Sequence, residues 1–325
     1  MGPLKFENIY FNKIWGGRDF SNFRNNLPEG DIGESWDVAC HPHGTSIISN
    51  GEFKGIKLSE LIEAKGEEII GSRISKSWFP LLLKLINARD KLSVQVHPSD
   101  DYARKAEGEM GKTEAWYIVE ASKGATLVLG TKNCTKEQFR KAMETGKFDE
   151  YMNIIPVKKG EVYFVKSGLI HAIGEGIIIA EIQQNSDTTY RVYDYNRGRE
   201  LHIDKAMDVV NLNLLGEKNR GLEVKYDGYS IIYYCLCENF SLELYDITSS
   251  TKEVSDPERF YIYLVVEGNG EILYKGGKET IDLGESILIP ASLGDYEIIG
   301  NLKILKAYVP DVEKVKKEIL RNVIL

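Results

Sequence analysis

Apolar residues in this chain gather mainly into short, β-branched or aromatic runs closed by Gly, Pro, Asn, Asp or Ser. From Leu81 onward such runs fall at 81–86, 92–97, 115–120, 125–129, 161–165, 177–183, 189–195, 231–237, 240–247, 260–266, 271–274, 286–290 and 303–309, and each predicts a strand. Two segments carry helical spacing instead: 58–75, with Leu58, Leu61, Ile62, Ile69, Ile70 and Ile74 among charges, and 135–152, with Phe139, Met143, Phe148 and Met152. Thr135, followed by Glu137 and Gln138, predicts a helix start. Many strands with few helices between them predict antiparallel sheets closed into a sandwich or barrel, not a parallel βαβ sheet. Gly174-Glu175-Gly176 and Gly268-Asn269-Gly270 complete no phosphate-loop pattern and read as hairpin turns.

The chain also echoes itself. Gly160-Glu161-Val162-Tyr163-Phe164-Val165 matches Gly284-Glu285-Ser286-Ile287-Leu288-Ile289-Pro290, in each case a glycine-acid turn followed by a strand. Two related β units follow, divided near 212–225, where Asn211, Asn213, Gly216, Lys218, Asn219 and Gly221 cluster. We place the units at 1–220 and 221–325. In the first, His171 stands eleven residues after Gly160; at the matching offset in the second stands Asp295. No histidine follows residue 202, so metal chemistry is expected in the first unit alone.

Composition narrows the function. With 42% hydrophobic and 28% charged residues the chain is an ordinary globular one. Its net charge of -8 repels a polyanion, so nucleic acid is not an expected partner, although a few cations could still hold one phosphate group. The longest apolar stretches, Phe79–Leu83 and Gly176–Ala180, fall far short of the ~20 residues of a membrane span, and the start of the chain lacks a secretory pattern. A cytoplasmic protein, monomer or homodimer, is the expectation. Cys235 and Cys237, spaced to share one strand face, read as small buried hydrophobes, and the four cysteines make no zinc-finger framework.

Polar residues at alternating positions mark the chemistry. In Leu92-Ser93-Val94-Gln95-Val96-His97-Pro98, strand geometry puts Ser93, Gln95 and His97 on one face. Lys112, Glu114 and Trp116 share a face in the same way. A carboxylate entering an apolar strand needs a cation beside it, either Lys112 or a metal. A turn delivers His171. Beyond it, Glu181 and Gln183 share one face, and Thr189, Arg191 and Tyr193 share a face of the next strand, a pattern expected of a lined cavity. Trp15, Trp36 and Trp116 are cavity-wall or core candidates, and His41 and His43 read as a loop pair.

Taken in order, Gln95-Val96-His97-Pro98, Gly111-Lys112-Thr113-Glu114, the His171 turn and Glu181-Ile182-Gln183-Gln184-Asn185-Ser186-Asp187-Thr188-Thr189-Tyr190-Arg191 resemble the signatures of type I phosphomannose isomerases, in particular the short bacterial form. Lys13-Ile14-Trp15-Gly16-Gly17 and Gly33-Glu34-Ser35-Trp36 add to the likeness, which runs from about residue 5 to 200 and more weakly to the end. The resemblance implies a mainly β fold of two cupin-like antiparallel barrel or jelly-roll units with a few short helices. It also implies one zinc ion held by Gln95, His97, Glu114 and His171. Imidazole and carboxylate are ordinary zinc ligands, a glutamine is less usual, and the thiolate-free set carries a net charge of +1 with the ion, which favours catalysis over scaffolding.

The implied reaction interconverts mannose 6-phosphate and fructose 6-phosphate through an enediol-type proton transfer. Arg191 would stabilise the enediolate, and Glu181 or Lys112 would move the proton. Ser93, Lys112 or Arg191 would meet the phosphate. Two rival readings remain, a non-catalytic sugar-binding cupin and an isomerase of a different sugar.

Overall fold

A computed structural model describes residues 1–148 and 150–324. Its ladders are all antiparallel. In the first unit a seven-stranded sheet runs in the order Lys218–Asn219, Val162–Val165, Glu114–Ala121, Ile177–Gln184, Leu81–Ala88, Ile32–Val38, Ile9–Gly17. It faces a five-stranded sheet in the order Met152–Pro156, Thr126–Thr131, His171–Ile173, Val94–Val96, Tyr190–Tyr193. A third sheet, of ten strands, holds the strands from Leu222 onward together with Leu4–Glu7 and Ile47–Ile48. Among the described residues no helix is long and apolar enough to cross a membrane.

Alternation along the central strands sorts side chains into two cores. Leu81, Leu83, Leu85, Ala115, Tyr117, Ile178, Ala180 and Ile182 point outward and pack against Leu242, Leu244, Ile262, Leu264, Leu305 and Ala307, so the two large sheets meet face to face. Each fully buried Leu or Ile there contributes roughly 1.5–3 kcal/mol relative to exposure. The intervening positions point into the first barrel, where Ile86, Trp116, Ile118, Ile177 and Ile179 form a second core. Period-two geometry therefore also turns Lys84, Glu114, Glu181 and Gln183 inward. A buried Arg24 ties the units together, donating to Asp37, Ser35 and the Gly284 carbonyl.

The repeat is real in three dimensions. Val162–Val165 and Ser286–Ile289 both follow left-handed glycines, Gly160 (φ 84°) and Gly284 (φ 80°). In each turn the acid accepts a backbone N–H three residues earlier: Lys158 donates to Glu161, Asp282 to Glu285.

Several elements differ from the sequence expectation. The 58–75 helix is two pieces, Leu58–Lys65 and Glu67–Ile70, broken at Gly66. It stops at Gly71 (φ 88°), where a Cβ would lie 2.2 Å from the Arg259 nitrogen. The 135–152 helix covers only Lys136–Thr145; the capping box of Thr135 and Gln138 starts it and left-handed Gly146 ends it, releasing Met152 into a strand. Gly268-Asn269-Gly270 is no turn. It lies inside the continuous strand Tyr261–Tyr274, just past a bulge between Val265 and Glu267, and Gly268 (φ 73°) lets the Asn301 carbonyl approach to 2.0 Å from where a Cβ would sit. Gly174–Gly176 turns the chain from one sheet of the first barrel to the other instead of closing a hairpin. Cys237 falls just past the end of Tyr229–Leu236, yet Cys235 and Cys237 pack into the same core as expected, Cys235 buried and Cys237 partly so; all four cysteines are free. Helices at Asp100–Ala106, Ile203–Val209 and Val312–Ile324, and strands at Ile9–Gly17 and Ile32–Val38, were not expected from the pattern.

Candidate active site

Four ligand candidates from three strands and one strand end meet inside the first barrel. Gln95 and His171 are directly paired residues of neighbouring strands, His97 lies just past the end of Val94–Val96, and Glu114 opens the strand of the facing sheet. The Nε2 atoms of His97 and His171 each stand 3.6 Å from a Glu114 oxygen, His97 from Oε2 and His171 from Oε1. The Gln95 amide reaches His171 Nε2 at 3.3 Å. His97, Glu114 and His171 are essentially solvent-free.

The protonation of both imidazoles follows from their far nitrogens. His97 Nδ1 is 2.9 Å from the Thr188 carbonyl and His171 Nδ1 is 2.9 Å from the Leu169 carbonyl. A carbonyl only accepts, so each Nδ1 carries the proton and each Nε2 presents a lone pair inward. Burial, with Lys112 nearby, pushes the His97 imidazole well below its usual range, and burial brings His171 down to about 4. Both are neutral near pH 7. His97 Nε2 and Glu114 Oε1 are buried without a hydrogen-bond partner, an expensive state unless something else joins them.

A metal ion fits. Ligand atoms ~2.0–2.2 Å from a tetrahedral zinc stand about 3.3–3.6 Å from one another; the His–Glu114 contacts are at 3.6 Å, and the His97, Glu114 and His171 ligand atoms all lie within 4.8 Å, so small side-chain shifts would close the set around an ion. Two neutral imidazoles, a carboxylate and an amide are hard-to-borderline donors suited to a divalent ion. The Gln95 amide needs a half-turn to offer Oε1, which leaves its nitrogen to donate to Ser93 Oγ, now 3.4 Å from Oε1.

Beside this group lies a cavity of about 240 Å³ whose lining includes Gln95, Lys112, Glu181, Ser93, Thr189 and Arg191. Lys112 Nζ sits 3.0 Å from Glu114 and 3.5 Å from Glu181. Glu181 also meets Lys84 at 3.0 Å and accepts from the Trp116 indole N–H at 3.0 Å. Burial alone would raise the Glu181 carboxyl, but Lys112 and Lys84 outweigh it and hold the group below its ordinary value. Glu114 moves the other way: burial, together with the Glu181 charge, pushes it up toward neutrality against the two lysines.

Toward the mouth, Arg191 Nε donates to Ser93 Oγ at 3.3 Å and Nη1 to the Glu200 carbonyl at 2.9 Å. Arg199 lines the same cavity while donating to Asp194. Tyr193 does not join them. A register shift between Arg191 and Tyr193 turns its ring away, against Phe148 and Tyr195. Gln183 is buried but spends its amide on the Gln184 and Ser186 carbonyls, fixing the loop after the strand. Trp15 lines the cavity, Trp116 props Glu181, and Trp36 donates to Glu34 at 2.9 Å. His41 and His43 sit on the Cys40–His41/Gly44–Thr45 hairpin, where His43 meets Asp187 at 3.1 Å. Among the described residues, the group able to hold a metal is His97, Glu114 and His171.

Sequence reasoning missed Lys84 and Arg199, and cited Lys13 and Glu34 only within motifs. Lys84 is 4% exposed, pairs with Glu181 and lies 4.0 Å from Glu34, which Lys13 meets at 3.1 Å. Burial would raise the Glu34 carboxyl, yet Lys84, Lys13 and the Trp36 N–H hold it at about 2. The available signal was a single charge inside Leu81-Leu82-Leu83-Lys84-Leu85-Ile86, at an inward position of a strand buried on both faces.

Comparison with known proteins agrees with this geometry. Residues 4–141 match the family described as phosphomannose isomerase type I, catalytic domain, and residues 230–309 the mannose-6-phosphate isomerase cupin domain. The chain is 35% identical over 314 residues to mannose-6-phosphate isomerase ManA of Bacillus subtilis, covering 94% of this chain and 99% of that one. It is also 35% identical over 313 residues to mannose-6-phosphate isomerase of Streptococcus mutans, covering 94% and 98%. A crystal structure of the mannose 6-phosphate isomerase from Bacillus subtilis superposes with a TM-score of 0.89 at 33% identity, covering 94% of this chain and 99% of that one. With sequence and backbone both running alongside these enzymes over nearly their whole length, the chain belongs to the type I phosphomannose isomerase family.

Proposed function

We propose that this protein is a zinc-dependent aldose-ketose isomerase that interconverts D-mannose 6-phosphate and D-fructose 6-phosphate, with catalysis in residues 1–220 and a metal-free second unit in 221–325. The observation that carries the reading is the convergence of His97, Glu114, His171 and Gln95 beside a cavity that also holds Lys112, Glu181 and Arg191. One zinc ion per chain, held by those four ligands, would supply a Lewis acid toward the sugar's carbonyl oxygen.

The remaining roles belong to the chain. Isomerisation takes a proton from C2, shifts the electron pair toward the C1 carbonyl to give an enediolate, moves the O2 hydroxyl proton to O1, and returns a proton to C1 as the C2–O2 carbonyl forms. Lys112 and Glu181, 3.5 Å apart, are the pair that moves it. Lys84 keeps Glu181 ionised and oriented. Arg191, half-buried and positively charged, faces the enediolate. Ser93 and Arg199 beside it, with Lys112 or Arg191, receive the phosphate. A confined lining in which Lys13, Lys84, Lys112, Arg191 and Arg199 outnumber Glu34, Glu181 and Asp187 suits a small phosphorylated sugar.

Coupled assays with mannose 6-phosphate, free mannose and glucose 6-phosphate, each with and without chelator, test the reading. Chelator-sensitive turnover of mannose 6-phosphate alone is expected. Turnover of another sugar, or sugar binding without turnover, would replace it by one of the rival activities. Following deuterium from solvent into C1 and C2 for Lys112→Met and Glu181→Gln then identifies the base: the variant that abolishes exchange has lost it.

A further inference from the structure

The inner row that carries the Lys84–Glu181 ion pair has a counterpart in the second barrel. In the first, Trp36, Lys84, Glu181, Trp116 and Tyr163 lie side by side across five paired strands. In the second, Tyr233, Glu243, Lys306, Tyr263 and Ile287 occupy the same row, aligned by the strand after each glycine-acid turn. The charge pair is kept with its signs exchanged. Tyrosine replaces both tryptophans.

This second row is a built polar site. Lys306 is buried, donates to Tyr245 Oη at 3.1 Å and Glu253 Oε2 at 3.0 Å, and lies 4.2 Å from the centre of the Tyr261 ring. Glu243, also buried, accepts from Tyr308 Oη at 2.6 Å. Next to them is a void of about 150 Å³, edged by Tyr233 and Tyr261 and roofed by Val315, Ile319 and Asn322 of the last helix. Neither of the cations lining the void, Lys306 and Arg259, is left without a carboxylate: Glu253 answers Lys306, and Asp256 answers Arg259 at 3.0 Å. Glu243 and Glu318 add further carboxyls to the lining. An anion entering there meets excess negative charge. Ring faces for C–H groups, with phenols and carboxyls for hydroxyls, suit an uncharged polyhydroxy molecule.

We propose that the second barrel binds a neutral polyol, a free hexose or hexitol, in the void beside Lys306 and Glu243. The site goes beyond the isomerase activity and is tested by binding, not turnover. Saturation-transfer NMR on the full-length, metal-loaded enzyme would use D-mannitol as probe, with the first cavity kept occupied by saturating mannose 6-phosphate. We expect a saturable mannitol signal that inorganic phosphate leaves unchanged. Asn322→Trp, which plugs the rim far from the catalytic residues, should abolish the signal and leave isomerase turnover intact. Tyr261→Phe should weaken binding by about two- to tenfold, the worth of one neutral hydrogen bond. No signal under these conditions, displacement by phosphate, or undiminished binding in Asn322→Trp would overturn the proposal. If Asn322→Trp does not fold, unchanged affinity in Tyr261→Phe overturns it instead.

Discussion

Replacing Lys84 by methionine probes the feature on which the catalytic face is built. The substitution keeps the unbranched stem and removes the ammonium that lies 3.0 Å from Glu181 and 4.0 Å from Glu34. Breaking a buried ion pair by deleting one partner costs about 3–5 kcal/mol. Here each orphaned carboxylate keeps a second cation, Lys112 for Glu181 and Lys13 for Glu34, so the lower end applies, ~3 kcal/mol. For a chain of this size that lowers Tm by about 6 °C, at roughly 2 °C per kcal/mol. The pH dependence has a definite sign. Glu34 is held at about 2 in the folded protein, below its ordinary 4.5, so its contribution is complete above pH 4.5 and is lost as pH falls toward 2. Removing Lys84 raises that folded value. The gap between wild type and variant should therefore be full at pH 6–7 and shrink as pH falls from about 4.5 toward 2, measured by thermal and urea denaturation of the metal-free proteins so that loss of metal does not enter. Equal stability at neutral pH, or a deficit that persists undiminished at pH 2.5, would refute the account.

His97→Ala should strip metal and turnover together, read by elemental analysis beside the coupled assay; a metal-free variant with full turnover contradicts the ligand role. Arg191→Ala should retain the metal and lose about 100-fold or more in kcat if it stabilises the transition state, whereas a change confined to KM makes it a phosphate anchor. Metal affinity should fall as pH drops below neutrality and flatten above it, with a slope of one proton. Glu114, raised toward neutrality, is the ligand that must release a proton, while burial brings His171 down to about 4 and holds His97 well below its usual range. Calorimetric titration in buffers of different ionisation enthalpy counts that proton; two or more released near pH 7 would contradict the tautomers assigned here.

Period-two alternation made the site legible wherever a polar residue interrupts a strand. Gln95, Glu114 and Glu181 could be placed on faces from their neighbours alone, and the structure brings them to one cavity with His97 and His171. Alternation failed at a bulge, since one inserted residue reverses every side chain after it; this is why Tyr193 left the cavity. Lys84 escaped notice because a run buried on both faces has no polar face to read it against. Helix ends were misjudged where glycine stops a helix that the hydrophobic period would continue, at Gly66 and Gly146. Arg199 lies outside any strand, and no periodicity points to it.

The strand Leu4–Glu7 pairs with Ser286–Ile289, Leu4 opposite Leu288, although the next strand, Ile9–Gly17, belongs to the other sheet. During synthesis the first strand leaves the ribosome 284 residues before its partner. At about 5–20 residues per second it waits roughly 15–60 s with one edge unsatisfied. The early half of the chain can assemble its metal-binding barrel in that interval, but its leading segment docks last, so completion of the far sheet and capture of the amino terminus become a single late event.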